Sequence, residues 1–272
     1  MCAPRLRIVV VLITHLGIVA LSSAVGWAQS DEHHTVETLT VDELGPYQPE
    51  NAADSEVVSH LIIEQTNQFR QSEGLAKLGD NEVLAKTALK FAQYMAHTDR
   101  YGHTADGRRP SERAQEQGYE YCQVAENIAY FFATEGFETR ELAEDAVTSW
   151  KNSPGHRENM LKPYVTETGV GIAQSKKTGT YYAVQLFGRP KSAMIEFTIA
   201  NKSKADLDYQ LGEQQYSLPP SYRRQHEICL PIELKGSAEE TGTIPASGNH
   251  YQIVPQDGKS KIVLESESPP LK

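Results

Sequence analysis

Apolar residues recur every three or four positions through the first half of the chain, a spacing that predicts amphipathic helices. Either Asp80 or Asn81 can cap the second of these helices, and Pro110 suits the first turn of the third. Four helices are predicted, over residues 58–74, after residue 80 or 81, over residues 110–117, and from residue 139 to a stop before Pro154.

Segments rich in β-forming residues lie between and after these helices. Residues 122–132 predict one strand, and residues 167–174 and 180–188 predict a hairpin around a polar Lys-Lys-Thr-Gly turn. Three or four helices with about three strands are typical of a mixed α+β domain built in layers. The predicted domain covers roughly residues 55–190.

The pattern changes after Arg189 and Pro190, where helical spacing stops and short alternating segments begin. These segments predict a small all-β antiparallel sandwich or barrel of five to seven strands over residues 191–266, one of them over residues 226–234. It carries no catalytic motif, so two interpretations stay open, a stabilising or spacer module and a module that contacts the cell envelope. Residues 267–272, with two prolines, are predicted to be a disordered tail.

The chain begins with the pattern of an export signal. Arg5 and Arg7 precede a short apolar run, and Gly26-Trp27-Ala28 fits a cleavage site, so residues 1–28 are predicted to be a signal peptide. Cleavage after Ala24 and an uncleaved signal-anchor are the alternatives. Residues 29–54 are predicted to be a linker. Since no later stretch is apolar enough to span a bilayer, we expect no transmembrane helix after cleavage and a location outside the cell, in the periplasm or in the envelope.

Charge and cysteine content narrow the classes of partner. Removal of residues 1–28 takes away two basic residues and no acidic ones, which leaves 24 basic and 36 acidic residues in the mature chain. A surface this acidic repels phosphate backbones, so nucleic acid is excluded as an expected partner. Cys122 and Cys229 remain after cleavage. They can form one bridge in an oxidising compartment or stay as two half-buried thiols.

Two histidines and a glutamate stand out as candidate chemistry. His103 follows a glycine in Tyr-Gly-His-Thr-Ala-Asp-Gly, Glu126 lies in Ala-Glu-Asn-Ile-Ala, and His156 lies in Trp-Lys-Asn-Ser-Pro-Gly-His. A glycine beside a histidine lets the backbone turn and approach a ligand closely. Two imidazoles and one carboxylate are a common ligand set for a divalent metal.

These motifs, in this order, resemble the CAP superfamily, also called the SCP domain and named after cysteine-rich secretory proteins, antigen-type venom allergens and plant pathogenesis-related proteins. The resemblance is to its bacterial form and runs from the first helix to Gly188. It implies a three-layer α-β-α sandwich with a cleft that holds two histidines and two acids, which bind a divalent cation in several members. His103, Glu126 and His156 match three of the four. The second acid falls on Ser153, as is common in bacterial members, and Ala125 replaces the motif's glycine.

The resemblance implies a weak, exchangeable site for Zn²⁺ or another divalent cation at His103 and His156, with Glu126 as a direct ligand or through water. Two functions remain open. One is a binding module whose cleft, which includes Ser153, takes a small apolar or peptide-like ligand. The other is a hydrolase in which a cation or His156 activates water and Glu126 is the general base. Because most family members lack an established catalytic activity, we favour the binding module.

Overall fold

The computed structural model describes residues 7–8 and 52–266. Most of the predicted signal peptide, the predicted linker up to residue 51 and the predicted tail lie outside the described residues. The chain divides into two units, residues 1–189 and 190–272. Among the described residues, none of the helices is long and apolar enough to cross a membrane.

All four predicted helices are present in the first unit, and a fifth follows the last of them. Asp54 caps the first helix by accepting hydrogen bonds from two backbone N–H groups, and Asn81 rather than Asp80 does the same for the second. The helices are α1 (Ser55–Ser72), α2 (Glu82–Thr98), α3 (Pro110–Glu116), α4 (Thr139–Asn152) and α5 (Pro154–Met160).

A sheet of five strands in the order β1-β3-β5-β4-β2 forms the centre of this unit. The predicted hairpin is β4 and β5, which pair antiparallel throughout. The two-residue strand β1 lies within the predicted signal peptide, so cleavage there would remove it from the mature protein. The strands are β1 (Arg7–Ile8), β2 (Gly79–Asp80), β3 (Tyr121–Ala133), β4 (Glu167–Gln174) and β5 (Tyr181–Pro190).

The side chains of β5 alternate between two hydrophobic cores, which shows the layered architecture. Tyr181 and Ala183 pack in a core with α1 and α4, whereas Tyr182 and Val184 pack in a second core with α2 and α3. Successive side chains of a strand point to opposite faces, so the sheet has helices on both sides. The predicted three-layer α-β-α sandwich is confirmed.

Helix α2 lies directly against β4 at two glycines. A Cβ atom at Gly169 would come within 2.1 Å of the backbone nitrogen of Ala85, and one at Gly171 within 2.1 Å of that of Leu89. Only glycine permits so close an approach of two backbones. This contact fixes the position of α2, whose end leads into the loop that carries His103.

The second unit is a sandwich of two sheets, with the order β10-β7-β8 in one and β12-β11-β6-β9 in the other. Phe197 and Ile199 of the larger sheet pack with Tyr209 and Leu211 of the smaller one. The strands are β6 (Ile195–Asn201), β7 (Leu207–Leu211), β8 (Gln214–Leu218), β9 (Arg223–Ile228), β10 (Leu234–Gly236), β11 (His250–Gln256) and β12 (Lys259–Ser266).

Three sequence expectations are corrected here. The sandwich is not wholly antiparallel, because β11 pairs parallel to β6. Residues 226–234, predicted as one strand, are divided between β9 and β10 around Pro231, which has no N–H to donate to a ladder. Both Cys122 and Cys229 are disulfide-bonded, so the interpretation of two free thiols is wrong.

Candidate functional site

His103 lies in the loop between α2 and α3, immediately after Gly102. Gly102 has φ of +144°, a backbone conformation that residues with a side chain rarely adopt. The glycine beside this histidine is therefore required by the turn, as the sequence indicated. The loop leaves the His103 side chain 35% exposed, which makes it accessible from solvent.

Glu126 comes to the same place from β3, on the face of the sheet that covers α2 and α3. Its side chain is only 1% exposed. The Nδ1 atom of His103 lies 2.8 Å from Oε1, and the guanidinium of Arg113 donates to Oε2 at 2.6 Å. Both carboxylate oxygens therefore already accept a hydrogen bond, and the ionised acceptor places the proton of His103 on Nδ1.

His156 is the third residue of α5. The sequence predicted that helical structure stops before Pro154, but α5 begins at this proline. Asn127, fully buried on β3, donates to the carbonyl of His156 at 3.0 Å. Asn159 donates to the carbonyl of Glu126 at 3.1 Å and to the side-chain oxygen of Asn127 at 3.0 Å. These amides attach α5 to β3 and set the height of His156 above the sheet.

The glycine before His156 does not have the role expected from the sequence. A Cβ atom at Gly155 would meet nothing within 4 Å. The residue lies inside α5, and its φ is not among the positive values in the described residues. Neither a close approach nor an unusual turn requires glycine at this position.

The two imidazole rings face a common space. Their centroids are 6.5 Å apart, with 49° between the ring planes. Burial, with a smaller contribution from the positive charge that His103 can carry, lowers the pKa of His156 to about 4. His156 is consequently neutral at pH 7 and has a free lone pair, which is the form of imidazole that binds metals.

The structure brings His103, Glu126 and His156 together, but it does not present three converging ligands. No group of three or more His, Cys, Asp or Glu side chains among the described residues is arranged to hold a metal ion. The orientation of Glu126 explains this, since its oxygens are directed to His103 and Arg113. Two histidines remain as candidate ligands.

Two tyrosines lie near this site, and Ser153 lies three residues before His156 along the chain. Ser153 is the residue between α4 and α5, and its side chain makes no capping hydrogen bond. Tyr101 donates to the carbonyl of Ile128 at 3.0 Å and packs edge-on against Tyr130, with ring centroids 4.9 Å apart. Burial raises the pKa of Tyr101, and the charge of Glu126 contributes to that shift. Tyr101 therefore stays a neutral hydrogen-bond donor.

Arg113 and Asp106 are residues of the site that sequence reasoning missed. Arg113 is 4% exposed and Asp106 2%, and they form an ion pair at 2.9 Å. An arginine in a short amphipathic helix ordinarily lies at the surface. The sequence offered only a weak signal for this ion pair. Asp106 lies three positions after His103, within the same glycine-flanked motif.

The first unit is similar to a known protein family. Residues 63–187 match the model of the cysteine-rich secretory protein family, CAP. The match lies within the first unit and spans the elements that carry His103, Glu126 and His156. The resemblance drawn from the ordered motifs is confirmed.

Two proteins of Bacillus subtilis (strain 168) are similar to part of the chain. The uncharacterized protein YkwD is 32% identical over 129 residues, which are 47% of this chain and 46% of YkwD. The uncharacterized membrane protein YlbC is 29% identical over 121 residues, which are 44% of this chain and 33% of YlbC. The chain thus matches less than half the length of each relative.

One solved structure that aligns with part of the chain is an extracellular protein containing an SCP domain from Bacillus anthracis str. Ames. It aligns with a TM-score of 0.42 and 23% identity, over 50% of this chain and 41% of that chain.

Proposed function

We propose that this is a secreted CAP-domain protein that binds a divalent cation, Zn²⁺ or a similar ion, between His103 and His156. The observation that carries the proposal is the distance of 6.5 Å between the two imidazole centroids, in a site where one ring is oriented by a carboxylate. Water would complete the coordination. Two protein ligands make such a site weak and exchangeable.

The separation of the rings is compatible with a shared ion after a small movement. With metal–nitrogen bonds of about 2.0–2.1 Å, two imidazoles on one tetrahedral ion have centroids about 5 Å apart. The rings therefore need to close by roughly 1.5 Å, which side-chain rotation can supply.

Glu126 is assigned a different role from the one its residue type first indicated. A carboxylate that accepts Nδ1–H from a metal-binding histidine fixes the tautomer and raises the basicity of the ligand. With Oε1 on His103 and Oε2 on Arg113, Glu126 fits this orienting role better than direct ligation. Its contribution would be to direct the Nε2 lone pair of His103.

The cleft that includes Ser153 is the proposed site for a small apolar or peptide-like extracellular ligand, and the second unit for contact with a cell-envelope component. Tyr101, two residues before His103, packs edge-on against Tyr130, and these rings would supply aromatic contacts to the ligand. The acidic composition and the export signal favour a partner outside the cell that is not a polyanion.

A hydrolase with Glu126 as general base is the alternative that we do not favour. A general base needs an oxygen within hydrogen-bond reach of water or substrate. Glu126 is 1% exposed, and each of its oxygens already accepts a hydrogen bond from a cationic or imidazole donor. Turnover of an envelope peptide, ester or glycan that is lost in Glu126→Gln would overturn this preference.

Isothermal titration of Zn²⁺ into the mature protein tests the proposal. We expect binding by the wild type at pH 7.5 and at least about a tenfold loss of affinity in His103→Ala and His156→Ala, since each removes one of two protein ligands. His60→Ala, at an exposed histidine on α1, is the matched control and should bind as the wild type does. Unchanged affinity in the His103→Ala and His156→Ala double variant would contradict the proposal.

A further inference from the structure

Arg113 connects the loop that carries His103 to the carboxylate that this histidine contacts. Its Nη2 atom donates to Oε2 of Glu126 at 2.6 Å, and its Nη1 atom donates to Oδ1 of Asp106 at 2.9 Å. Nη1 also donates to the carbonyl oxygen of His103 at 3.0 Å. The guanidinium plane rests on the ring of Phe91, with 3.5 Å from Cζ to the ring centroid. One side chain therefore holds both partners of the His103–Glu126 contact.

We propose that Arg113 is the positioning residue of the cation site. By occupying Oε2 it leaves Oε1 to accept from Nδ1 of His103, and this keeps the lone pair of His103 on Nε2, the nitrogen that would bind the cation. The inference rests on the proposed cation binding only for its effect on affinity. The tautomer of His103 is a property of the metal-free protein.

The charges around Arg113 support a positioning role. Asp106 and Glu126 are buried carboxylates, and Arg113 with the half-exposed Arg108 neutralises them. Both buried carboxylates thus have a cationic partner before any cation enters, and Glu126 is held by its contacts with His103 and Arg113 rather than by a metal. Lysine cannot reproduce this arrangement, because two carboxylates on different elements need the fork of a guanidinium.

The position of Arg113 is poorly explained by stability alone. Its Nε atom is buried and has no hydrogen-bond partner among the described residues. A buried N–H without a partner carries a desolvation penalty, and buried ion clusters are often no more stable than apolar replacements. The buried position of Arg113 instead allows Nη1 to contact the His103 loop and Nη2 to contact Glu126.

The tautomer of His103 can be measured in metal-free mature protein labelled with ¹⁵N-histidine, from two-bond ¹H–¹⁵N spectra at pH 8. We expect a single Nδ1–H tautomer in the wild type and a mixture in Arg113→Met. The affinity for Zn²⁺ should fall roughly tenfold in the same variant, the lower end of what loss of an outer-shell contact produces. Arg109→Gln is the matched control, since Arg109 is 75% exposed and pairs with Glu112 at the surface.

The outcomes separate this proposal from the one on cation binding. If Arg113→Met retains the wild-type tautomer, the positioning role is overturned whether or not Zn²⁺ binds. If the tautomer changes and the wild type binds no Zn²⁺, Arg113 positions His103 and the cation proposal fails. Should Arg113→Met not fold, Arg113→Lys decides by the same spectrum. Unfolding of both, with Arg109→Gln intact, would assign Arg113 to the stability of the fold and overturn the proposal.

Discussion

Replacement of Gly171 by alanine tests how the sheet positions α2 and the His103 loop. The added Cβ would lie 2.1 Å from the nitrogen and 2.3 Å from the Cα of Leu89. Real Cβ atoms essentially never come within 3.0 Å of such an atom. Because both obstacles are backbone atoms, α2 has to move away from β4 by nearly 1 Å or more. Overpacking costs about 1–3 kcal/mol, and a backbone obstacle belongs at the upper end.

A loss of this size is readily measured by scanning calorimetry of the mature protein. At roughly 2–4 °C per kcal/mol for a chain of this length, the Tm of the first unit should fall by about 5–10 °C in Gly171→Ala. The matched control is Gly155→Ala, where the new Cβ meets nothing within 4 Å inside α5. There the better helix propensity of alanine should stabilise by up to about 1 kcal/mol.

The two substitutions are chemically identical and should shift the Tm in opposite directions. A Tm for Gly171→Ala within about 1 °C of the wild type would show that α2 does not lie on the glycines of β4 as described. A lower Tm for Gly155→Ala would show that the turn at His156 needs glycine after all.

Two further predictions concern pH and the division of the chain. The pKa of His156 is lowered to about 4 in the folded protein, so the unfolded chain, with a pKa near 6.5, takes up this proton more readily. The free energy of unfolding should therefore fall between about pH 6.5 and pH 4, and urea denaturation should show a smaller fall for His156→Gln. Residues 29–189 should fold without the second unit, and dispersed amide spectra under non-reducing conditions would show this. They should also keep the His103–Glu126 contact. An unfolded spectrum would contradict that division.

The periodicity of the sequence predicted the long helices and the central strands well, because each buries one stripe or face. Leu84, Ala88 and Phe91 recur at helical spacing and share one core. Helix α5 was not predicted. Like α3 it has seven residues, too few for a period to show, and α3 was predicted only because Pro110 was interpreted as a helix start. Pro154 was interpreted as a helix stop, yet proline also suits the first position of a helix. Here α4 ends just before Pro154 and α5 begins at it.

Pairing between strands was less accessible than the strands themselves. The alternating residues of β6 and β11 indicated half-buried strands, but nothing in either segment specifies that they run parallel. Strand direction depends on the intervening chain, which here includes four strands and several turns. Local sequence therefore identified the elements of the second unit and left their order to tertiary packing.

The site shows where residue type stops being informative. The motifs named His103, Glu126 and His156, and the structure brings all three together. Whether a carboxylate binds a cation or orients a ligand depends on where its two oxygens point, and residue type does not specify that. In this protein the buried guanidinium of Arg113 takes Oε2 and His103 takes Oε1. The orienting role proposed for Glu126 would thus be set by an arginine on a neighbouring helix, and exchanging that arginine, with every histidine left in place, is the direct test of whether it governs what the histidines bind.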